Sequence, residues 1–507
     1  MNTFLNGLKT STNYTLTENG DITHKSTMSD LLDLFAHGGA YRRRSDDDCI
    51  TLFKNAYREN PVYATKCLFY LRDILQGQGE RRFFRVCYNY LISFDKIMAK
   101  RNLQYISEFG RWDDLIYITY KTSLWQDCIN IVKAQLEADM RSYLNGDKTA
   151  VSLLAKWLPS ENTSSKITRE LATAVREGLH MTPREYRKTL SALRERSKVL
   201  ERLMSANRWN EIEFDKIPSR AGLIYRNAFA RRDMIKAKYE AFAKDESTKV
   251  NAKTLTPVDI AHQCFYRHSP DDTERAMLDK YWENQPDFYN GREERGIAVV
   301  DVSGSMSGIP MEAAVSMGAY VAERGKGPFK NHFITFSGRP ELVRFDGVDI
   351  YDKFNRARNA DWGMNTNIEA VMNLLLKTAI NNKCSPDEIP TRLYIFSDMQ
   401  FDHCMTTGPV STDRWSMSYR SNYLGKDDVD TFFEQEKKRW KKYGYKMPEI
   451  VFWNLNAAYD GAIPAIGEGF SYVSGFSMNM VECILSGKTG YDLMMEKLNS
   501  ERYSPIK

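Results

Sequence analysis

The chain has 507 residues, 42% of them hydrophobic and 12% aromatic, with a formal net charge of +5. This length predicts two or three domains, and the apolar content excludes a disordered chain. No run of about 18 apolar residues is present, so no membrane partner is expected, and eight scattered cysteines without a Cys-x-x-Cys pair predict a reducing, cytoplasmic location.

Residues 28–282 have the pattern of one helix after another. Leu68, Leu71 and Leu75 keep the spacing of an apolar helix face, and short segments rich in Gly, Pro and Asn separate such stretches. Thr182-Pro183 followed by Glu185 is typical of a helix start, because Pro is favoured at the first helical position. We therefore expect stacked helical pairs, although no fixed-period repeat is present.

One stretch of this helical region carries the basic excess. Residues 166–238 contain 18 Lys and Arg against nine Asp and Glu, interleaved with aromatic residues. A basic surface with stacking rings is typical of RNA-binding proteins, and a solvated helix face is the alternative. The residues that we predict to bind RNA are Arg184, Arg187, Lys188, Arg194, Lys198, Arg220, Arg226 and Arg231. Among them, the spacing of Arg187, Arg194 and Lys198 predicts a shared helix face.

A polar, turn-rich segment at 284–296 is interpreted as a linker, after which strands and helices alternate. The predicted strands are Gly296–Val300, His332–Phe336, Glu341–Phe345, Arg392–Phe396, Glu449–Trp453 and Phe470–Val473. The predicted helices are Pro310–Arg324, Ile368–Ala379, Val429–Tyr443 and Tyr491–Leu498. Such alternation predicts a mostly parallel sheet with helices on both faces.

Oxygen-bearing side chains follow two of these strands. Asp301, Ser303 and Ser305 come directly after the first strand, and Asp398 ends the apolar run 393–397, while Thr366 precedes a helix. Because ligands bind at the carboxyl edge of such sheets, we expect these side chains to meet there. Carboxylates and hydroxyls are the ligands that suit Mg²⁺, Mn²⁺ or Ca²⁺, so the pattern predicts a divalent-cation site, although Gly, Ser and Asp are also ordinary turn residues.

Two enzymatic interpretations compete with the cation site. Ser307 is a candidate nucleophile of a serine hydrolase, but a nucleophile should follow the strand at once, whereas Asp301-Val-Ser intervenes. Asp301 could instead be the nucleophile of an aspartyl-phosphate phosphatase. Such sites generally require a second Asp two residues later to protonate the leaving group, and this position is occupied by Ser303.

The series Asp301-x-Ser303-x-Ser305, Thr366 and Asp398 resembles the metal-ion-dependent adhesion site of a von Willebrand factor A domain. The resemblance implies that these five residues hold one divalent cation and leave one coordination position for an acidic group on a partner protein. The segment of Thr366 departs from the family pattern, because family members usually have Gly-Gly-Thr, whereas Met364-Asn365 lies between Gly363 and Thr366 here.

A second, ordered series of motifs resembles the TROVE-like proteins related to the Ro autoantigen. The helical part of the series is Leu68-Phe-Tyr-Leu-Arg-Asp73, Gly79-Glu-Arg81, Phe109-Gly-Arg-Trp-Asp-Asp114, Lys156-Trp-Leu-Pro159 and Ile217-Pro-Ser-Arg-Ala221. Later members are Ser397-Asp-Met399, Glu449-Ile-Val-Phe-Trp-Asn454 and Val473-Ser-Gly-Phe-Ser477. The resemblance covers nearly the whole chain and implies helical repeats that bind small structured RNAs or RNA ends, followed by an A domain.

Together the helical pattern and the resemblance to TROVE-like proteins imply an all-α, HEAT-like helical repeat domain, as a ring or arc, over residues 1–285. The strand–helix alternation predicts an α/β, Rossmann-like domain over residues 286–507, and the resemblance implies that it is a von Willebrand factor A domain. The expected function is a non-enzymatic, Ro-like ribonucleoprotein component that binds RNA and a divalent cation, with Mg²⁺ as the first choice. The alternatives are a metal-dependent protein-interaction scaffold that acts without RNA and, less favoured, a serine hydrolase at Ser307.

Overall fold

A computed structural model describes residues 13–17, 22–146, 151–197, 200–266, 270–336, 339–358, 367–401, 431–457 and 463–507. The first helices in chain order are Asp30–His37 (α1), Asp46–Glu59 (α2), Pro61–Arg72 (α3), Arg81–Phe94 (α4), Lys96–Asn102 (α5), Ile106–Phe109 (α6), Trp112–Thr119 (α7), Trp125–Leu144 (α8), Leu154–Trp157 (α9), Lys166–Gly178 (α10) and Pro183–Arg196 (α11). Those that follow are Leu200–Ser205 (α12), Ser219–Arg231 (α13), Asp233–Lys244 (α14), Pro257–Tyr266 (α15), Asp272–Glu283 (α16), Ile309–Arg324 (α17), Ile350–Arg358 (α18), Ile368–Asn381 (α19), Phe432–Lys442 (α20), Val481–Ile484 (α21) and Gly490–Leu498 (α22). The strands are Tyr14–Leu16 (β1), Ile22–His24 (β2), Gly296–Val300 (β3), His332–Thr335 (β4), Leu342–Arg344 (β5), Arg392–Ser397 (β6), Glu449–Asn454 (β7) and Phe470–Ser474 (β8).

The described residues form two compact units, each assembled from separate stretches of chain. The sheet unit comprises Met1–Cys67, Leu255–Asp271 and Gln285–Ser500. The helical unit comprises Leu68–Thr254, Asp272–Asn284 and Glu501–Lys507. In the helical unit, Tyr503 near the end of the chain donates a hydrogen bond from its hydroxyl to the buried Asp73 (Oη to Oδ2, 3.1 Å).

The large sheet of the sheet unit has the strand order β5-β4-β3-β6-β7-β8. All neighbouring strands run parallel except β5, which pairs antiparallel with β4 at one edge. Strands predicted from the apolar runs are confirmed, each to within one residue at its ends. Helix α18 and the small antiparallel pair β1–β2 were missed by the sequence interpretation, because neither carries a long periodic pattern.

Both faces of this sheet are covered, as the strand–helix alternation predicts. On one face Ile297 and Val299 belong to a core that includes residues of α19 and the fully buried Trp440 of α20. On the other face α17 approaches so closely that a Cβ on Gly318 would lie 2.4 Å from Val300 Cγ2. A larger residue at 318 would therefore push α17 away from the strand that leads into Asp301.

Helix α1 also packs against this sheet. The Ser474 hydroxyl at the end of β8 donates to the Phe35 carbonyl oxygen (3.0 Å), and the Gly39 amide donates to the same hydroxyl (3.0 Å). Ala36 joins the core of the sheet unit. No pattern in the sequence indicates this contact, because it joins residues more than 400 positions apart.

The helical unit has the predicted succession of helices. The start of α11 at Thr182-Pro183 is confirmed: the Thr182 hydroxyl accepts from the Glu185 amide, and the Glu185 carboxylate accepts from the Thr182 amide. The HEAT-like repeat and its closure into a ring or arc stay predictions. In the described part of the chain, no helix is both long and apolar enough to cross a bilayer.

Candidate functional site

Asp301 and Asp398 lie at the same edge of the large sheet because β3 and β6 are neighbours. Val300 and Phe396 are paired in the parallel register, and the Asp301 amide continues the ladder by donating to the Phe396 carbonyl oxygen (3.0 Å). Each aspartate therefore begins a loop at the carboxyl edge, where open α/β sheets bind their ligands.

Hydrogen bonds hold the side chains of this sheet-edge site. Asp301 Oδ1 accepts from the Ser303 amide (2.9 Å), and Asp301 Oδ2 accepts from the Ser397 hydroxyl. The hydroxyl oxygens of Ser303 and Ser305 are 3.1 Å apart. Asp398 Oδ1 accepts from the Gln400 amide (3.1 Å). Four of the five predicted ligands thus lie on two loops that leave neighbouring strands.

The electrostatics of the two aspartates suit a bound cation. Asp301 is completely buried and Asp398 is 2% exposed. Burial, and then the charge of Asp398, raise the pKa of Asp301 to about 7, because both effects disfavour its carboxylate form. Two buried carboxylates beside two hydroxyls are hard oxygen donors, so the donor set fits a divalent cation such as Mg²⁺.

The fifth predicted ligand, Thr366, lies outside the described residues. Within the described ranges, no group of three or more His, Cys, Asp or Glu side chains is placed to hold a metal. The predicted set is of another kind, since it combines two carboxylates with hydroxyl oxygens, and Asp301, Ser303, Ser305 and Asp398 stay predicted metal ligands.

Ser397 and two asparagines also support the site, and the sequence interpretation assigned them no role. The Asn456 side chain donates to the Ser305 carbonyl oxygen (3.2 Å), and Asn454 Oδ1 accepts from the Asn456 amide (3.2 Å). The signal was available for Ser397 and Asn454, because each is the polar last residue of an apolar strand.

The structure gives Ser307 little in common with a hydrolase nucleophile. The nucleophile elbow places Ser at the centre of Gly-x-Ser-x-Gly, but the centre of Gly304-Ser-Met-Ser-Gly308 is the fully buried Met306. Ser307 is exposed in the turn before α17. Among the described residues, no histidine bonds to its hydroxyl.

A basic groove lies on the surface of the helical unit. Its volume is about 660 Å³, and its lining comprises Tyr143, Lys188, Ser191, Ala192, Glu195, Arg196, Arg202 and Arg208. The Arg202 guanidinium donates to the Ser191 hydroxyl (3.0 Å), and Arg196 donates to the Gly146 carbonyl oxygen (2.9 Å). Glu195, the carboxylate of the lining, forms an ion pair with Arg208.

The predicted RNA-binding residues have different surroundings. Arg184, Arg187 and Lys188 are exposed on α11, and Arg220 and Arg231 are exposed on α13. Lys188 lines the basic groove. Lys198 lies outside the described residues, so its place on the helix face predicted for Arg187, Arg194 and Lys198 stays a prediction.

Arg194 and Arg226 correct the sequence interpretation. Arg194 is half-buried, and its guanidinium donates to the Ala155 and Leu158 carbonyl oxygens (2.7 and 2.8 Å) and to the Ser160 hydroxyl (2.9 Å). Arg226 is only 5% exposed and donates to the Leu223 carbonyl oxygen (2.6 Å). Both guanidinium groups stabilise the helical unit, so we remove them from the predicted RNA surface.

Comparison with known proteins matches the chain to two domain families of unknown function, to an uncharacterized relative and to a solved structure. A family model described as a domain of unknown function, DUF2828, matches residues 17–135 and 120–287, and a second, DUF7788, matches residues 295–504. The chain is 32% identical to the uncharacterized protein L728 of Acanthamoeba polyphaga mimivirus, over 94% of this chain and 85% of that protein. It is also similar to the crystal structure of the RO (RSR) protein of Deinococcus radiodurans, with 12% identity, a TM-score of 0.38, and coverage of 94% of this chain and all of that one.

Proposed function

The chain belongs to the family defined by the DUF2828 and DUF7788 domains of unknown function, and we propose that it is a non-enzymatic RNA-binding protein. Its helical unit holds the RNA, and its sheet unit holds a divalent cation. The observation that carries the proposal is the basic groove, in which four cationic side chains line one concave surface and the lining carboxylate is engaged by Arg208.

The groove suits a phosphate backbone. Lys188 and Arg202 are exposed and line the same groove, so phosphates can reach both of them. Arg187 and Arg184 on the same helix extend the positive surface beyond the groove. Lys and Arg contacts to phosphates release counterions, which makes such binding strong at low salt and weak at high salt.

The sequence resemblance to TROVE-like proteins supports the same proposal. It implies a HEAT-like helical module that binds small structured RNAs or RNA ends, as in a Ro-like ribonucleoprotein. The concentration of positive charge in residues 166–238 is independent support, because it places the cations in the unit that the resemblance assigns to RNA.

We propose that the sheet-edge site is the cation site of a von Willebrand factor A-like domain. Asp301, Ser303, Ser305 and Asp398 are its ligands within the described residues, with Thr366 as the fifth. A bound Mg²⁺ or Mn²⁺ would supply the positive charge that offsets the repulsion of the two carboxylates. The site holds the cation for docking, and we assign it no catalytic step.

Charge reversal in the groove tests RNA binding. The full-length double variant Lys188→Glu/Arg202→Glu is titrated with labelled single-stranded RNA at several salt concentrations. We expect weaker binding and a salt dependence shallower by about two, one for each lost phosphate contact.

The matched control is Lys133→Glu/Lys377→Glu, which changes the net charge equally at two exposed lysines outside the groove. Equal RNA affinity in the two double variants, or RNA binding by the wild type that does not depend on salt, contradicts the proposal.

A second candidate function uses the sheet-edge site alone. In this case the cation binds an acidic side chain of a partner protein, and the helical unit is a scaffold. The observation that favours it is the pair of buried aspartates at the carboxyl edge. It predicts that Asp301→Ala abolishes capture of the partner in the presence of Mg²⁺, whereas the groove variant captures the partner normally.

A further inference from the structure

A second concavity of the helical unit, the aromatic cleft, is distinct from the basic groove in lining and in chemistry. Its volume is about 410 Å³, which is within the usual range for a small-molecule site. Its lining comprises Arg81, Arg85, Asp113, Ile116, Tyr117, Trp157, Pro159, Ser165, Ile167, Thr168 and Leu171. Three segments singled out in the sequence, 79–81, 109–114 and 156–159, therefore meet at this cleft.

The aromatic rings of the cleft are held by arginines. The Arg85 guanidinium lies 4.6 Å from the ring centroid of Tyr117, and the Arg111 guanidinium lies 4.5 Å from that of Trp157. Such cation–π contacts fix the planes of the rings. Tyr117 is 51% exposed although it is a large aromatic residue, so its ring is open to a ligand.

Two aspartates orient the guanidinium groups at the cleft. Arg81 and Arg85 each direct Nε to Asp114 Oδ1 (3.1 and 2.6 Å) and Nη2 to Asp113 Oδ2. This arrangement uses one edge of each guanidinium, and no described group accepts a hydrogen bond from Nη1 of either arginine. An arginine has five N–H donors, so each retains donors for an incoming anion.

The cluster behind the cleft has more positive than negative groups. Arg72 and Arg111 also interact with these aspartates, which makes four guanidinium groups for two carboxylates. Burial, and then the charges of Arg81 and Arg72, lower the pKa of Arg111. An added anion would offset this excess positive charge.

We propose that the aromatic cleft binds one unpaired nucleotide of an RNA strand, with the base stacked on Tyr117 and the adjoining phosphate bound by Arg81. This inference rests on the proposed RNA-binding function and adds to it a subsite for a single base. The exposed ring, the apolar lining of Ile167 and Leu171, and the donors of Arg81 match the flat, apolar and anionic parts of one nucleotide.

The test compares two RNA strands of equal length and charge, one with bases and one abasic. We expect Tyr117→Ala to weaken binding of the strand with bases by about five- to hundredfold, as the loss of one base stack predicts. Binding of the abasic strand and the salt dependence should be unchanged, because no phosphate contact is lost. Tyr117→Phe should bind as the wild type does, since it retains the ring.

Two further variants of the full chain complete the test. Tyr443→Ala is the matched control, because Tyr443 is 52% exposed and belongs to the sheet unit. It should not change RNA affinity. Arg81→Gln should make the salt dependence shallower by about one, as loss of one phosphate contact does, while Arg72 and Arg85 still pair Asp114.

The outcomes separate this inference from the proposed function. If the wild type binds RNA and Tyr117→Ala binds it as tightly as Tyr443→Ala does, the nucleotide subsite is wrong and the proposed function stands. If Tyr117→Ala weakens binding of both strands equally, the proposed subsite is also wrong, because the effect of the ring on affinity then does not depend on stacking with a base. If the wild type binds neither strand, both the proposed function and the subsite fail.

Discussion

The sheet-edge site and the arginine cluster of the helical unit both bury carboxylates, but in opposite electrostatic settings. Asp301 is surrounded by the Ser303 amide, the Ser397 hydroxyl and the charge of a second carboxylate, Asp398. Asp114 is bound by Arg72, Arg81 and Arg85. Burial raises the pKa of Asp114, but the charges and hydrogen bonds of Arg72 and Arg85 outweigh burial, so its pKa lies below the usual value.

The difference separates buried charges that the chain itself pairs from buried charges that favour the binding of a cation. Opposite charges that pair in the interior are satisfied by the chain itself. Like charges that are buried together cost stability unless a group of the other sign binds between them. By this criterion Asp114 is structural and Asp301 fits the proposed cation site, and the two can be told apart by experiment.

The largest expected effect is on the structural side of this comparison. Asp114→Asn leaves the guanidinium of Arg72, which is 2% exposed, without its buried counter-ion. We expect the free energy of unfolding, measured by denaturant titration, to fall by about 3–5 kcal/mol. Asp127→Asn is the control, because its partner Lys100 is 60% exposed, and it should cost no more than about 1 kcal/mol. Equal losses in the two variants would show that the buried ion pair of Asp114 stabilises the chain no more than the exposed ion pair of Asp127 does.

The next largest effect is the pH dependence of stability that comes from His37, a buried and uncharged histidine of the sheet unit. His37 is 4% exposed, and its ring accepts a hydrogen bond from the Asn454 side chain (3.2 Å). Burial, and then the charge of Arg44, lower the pKa of His37 from 6.5 to about 4. The unfolded chain therefore binds a proton at this histidine between these values that the folded chain does not bind, so the contribution of His37 to stability falls as the pH falls from 6.5 to 4.

The expected contribution of His37 to the loss across this pH window is about 3 kcal/mol. Asp301, whose pKa is raised, changes stability in the opposite direction over the same window, so the contribution of His37 is measured as a difference between variants. In denaturant titrations at a series of pH values, the wild type and His180→Gln, which changes an exposed histidine, should lose about 3 kcal/mol relative to His37→Gln as the pH falls from 6.5 to 4. The same pH dependence in the wild type and in His37→Gln would show that His37 is not responsible.

The strands of the large sheet, and the position of Asp301 and Asp398 at its edge, could be predicted from sequence because they depend on adjacent residues. The apolar run Gly296–Val300 fixes β3, and the residues after it must lie at the edge of the sheet. The neighbours Ser397 and Asp398 follow from the same logic on β6. What could not be predicted is the packing of α1 against β8, since no local pattern specifies contacts between distant segments.

The basic surface could be predicted only in part, because spacing places an arginine on a helix face without saying what that face meets. Arg187 and Arg194 are seven residues apart on α11, yet the first is exposed and the second donates to one group of α9 and to two groups of the loop after it. A long side chain can reach back to carbonyl oxygens that are unpaired at a turn. Such contacts depend on tertiary structure.

Cation binding tests the functional side of the comparison. Mg²⁺ or Mn²⁺ at about a hundred times its dissociation constant should stabilise the wild type by about 2.7 kcal/mol, because only the folded chain has the site. Asp301→Asn should abolish this response. Without cation it should be no less stable than the wild type, since it removes one of two neighbouring carboxylates.

Asp387→Asn is the control for cation binding, because Asp387 is 95% exposed and should not affect the response. An Asp301→Asn variant that is strongly destabilised without cation would place Asp301 in the same class as Asp114. A wild type that neither cation stabilises would contradict the cation site.

The smallest effects separate two arginines of one helix. Arg194→Gln loses hydrogen bonds to two carbonyl oxygens and should destabilise the chain by about 1–3 kcal/mol, with little change in RNA affinity once folded. Arg187→Gln changes a 50% exposed side chain whose ion pair with Glu161 is 3.6 Å long, so stability should change by no more than about 1 kcal/mol. Its RNA affinity should fall, with a salt dependence shallower by about one. If Arg194→Gln instead lowers RNA affinity without loss of stability, Arg194 contacts RNA directly and the original interpretation of the basic face is restored.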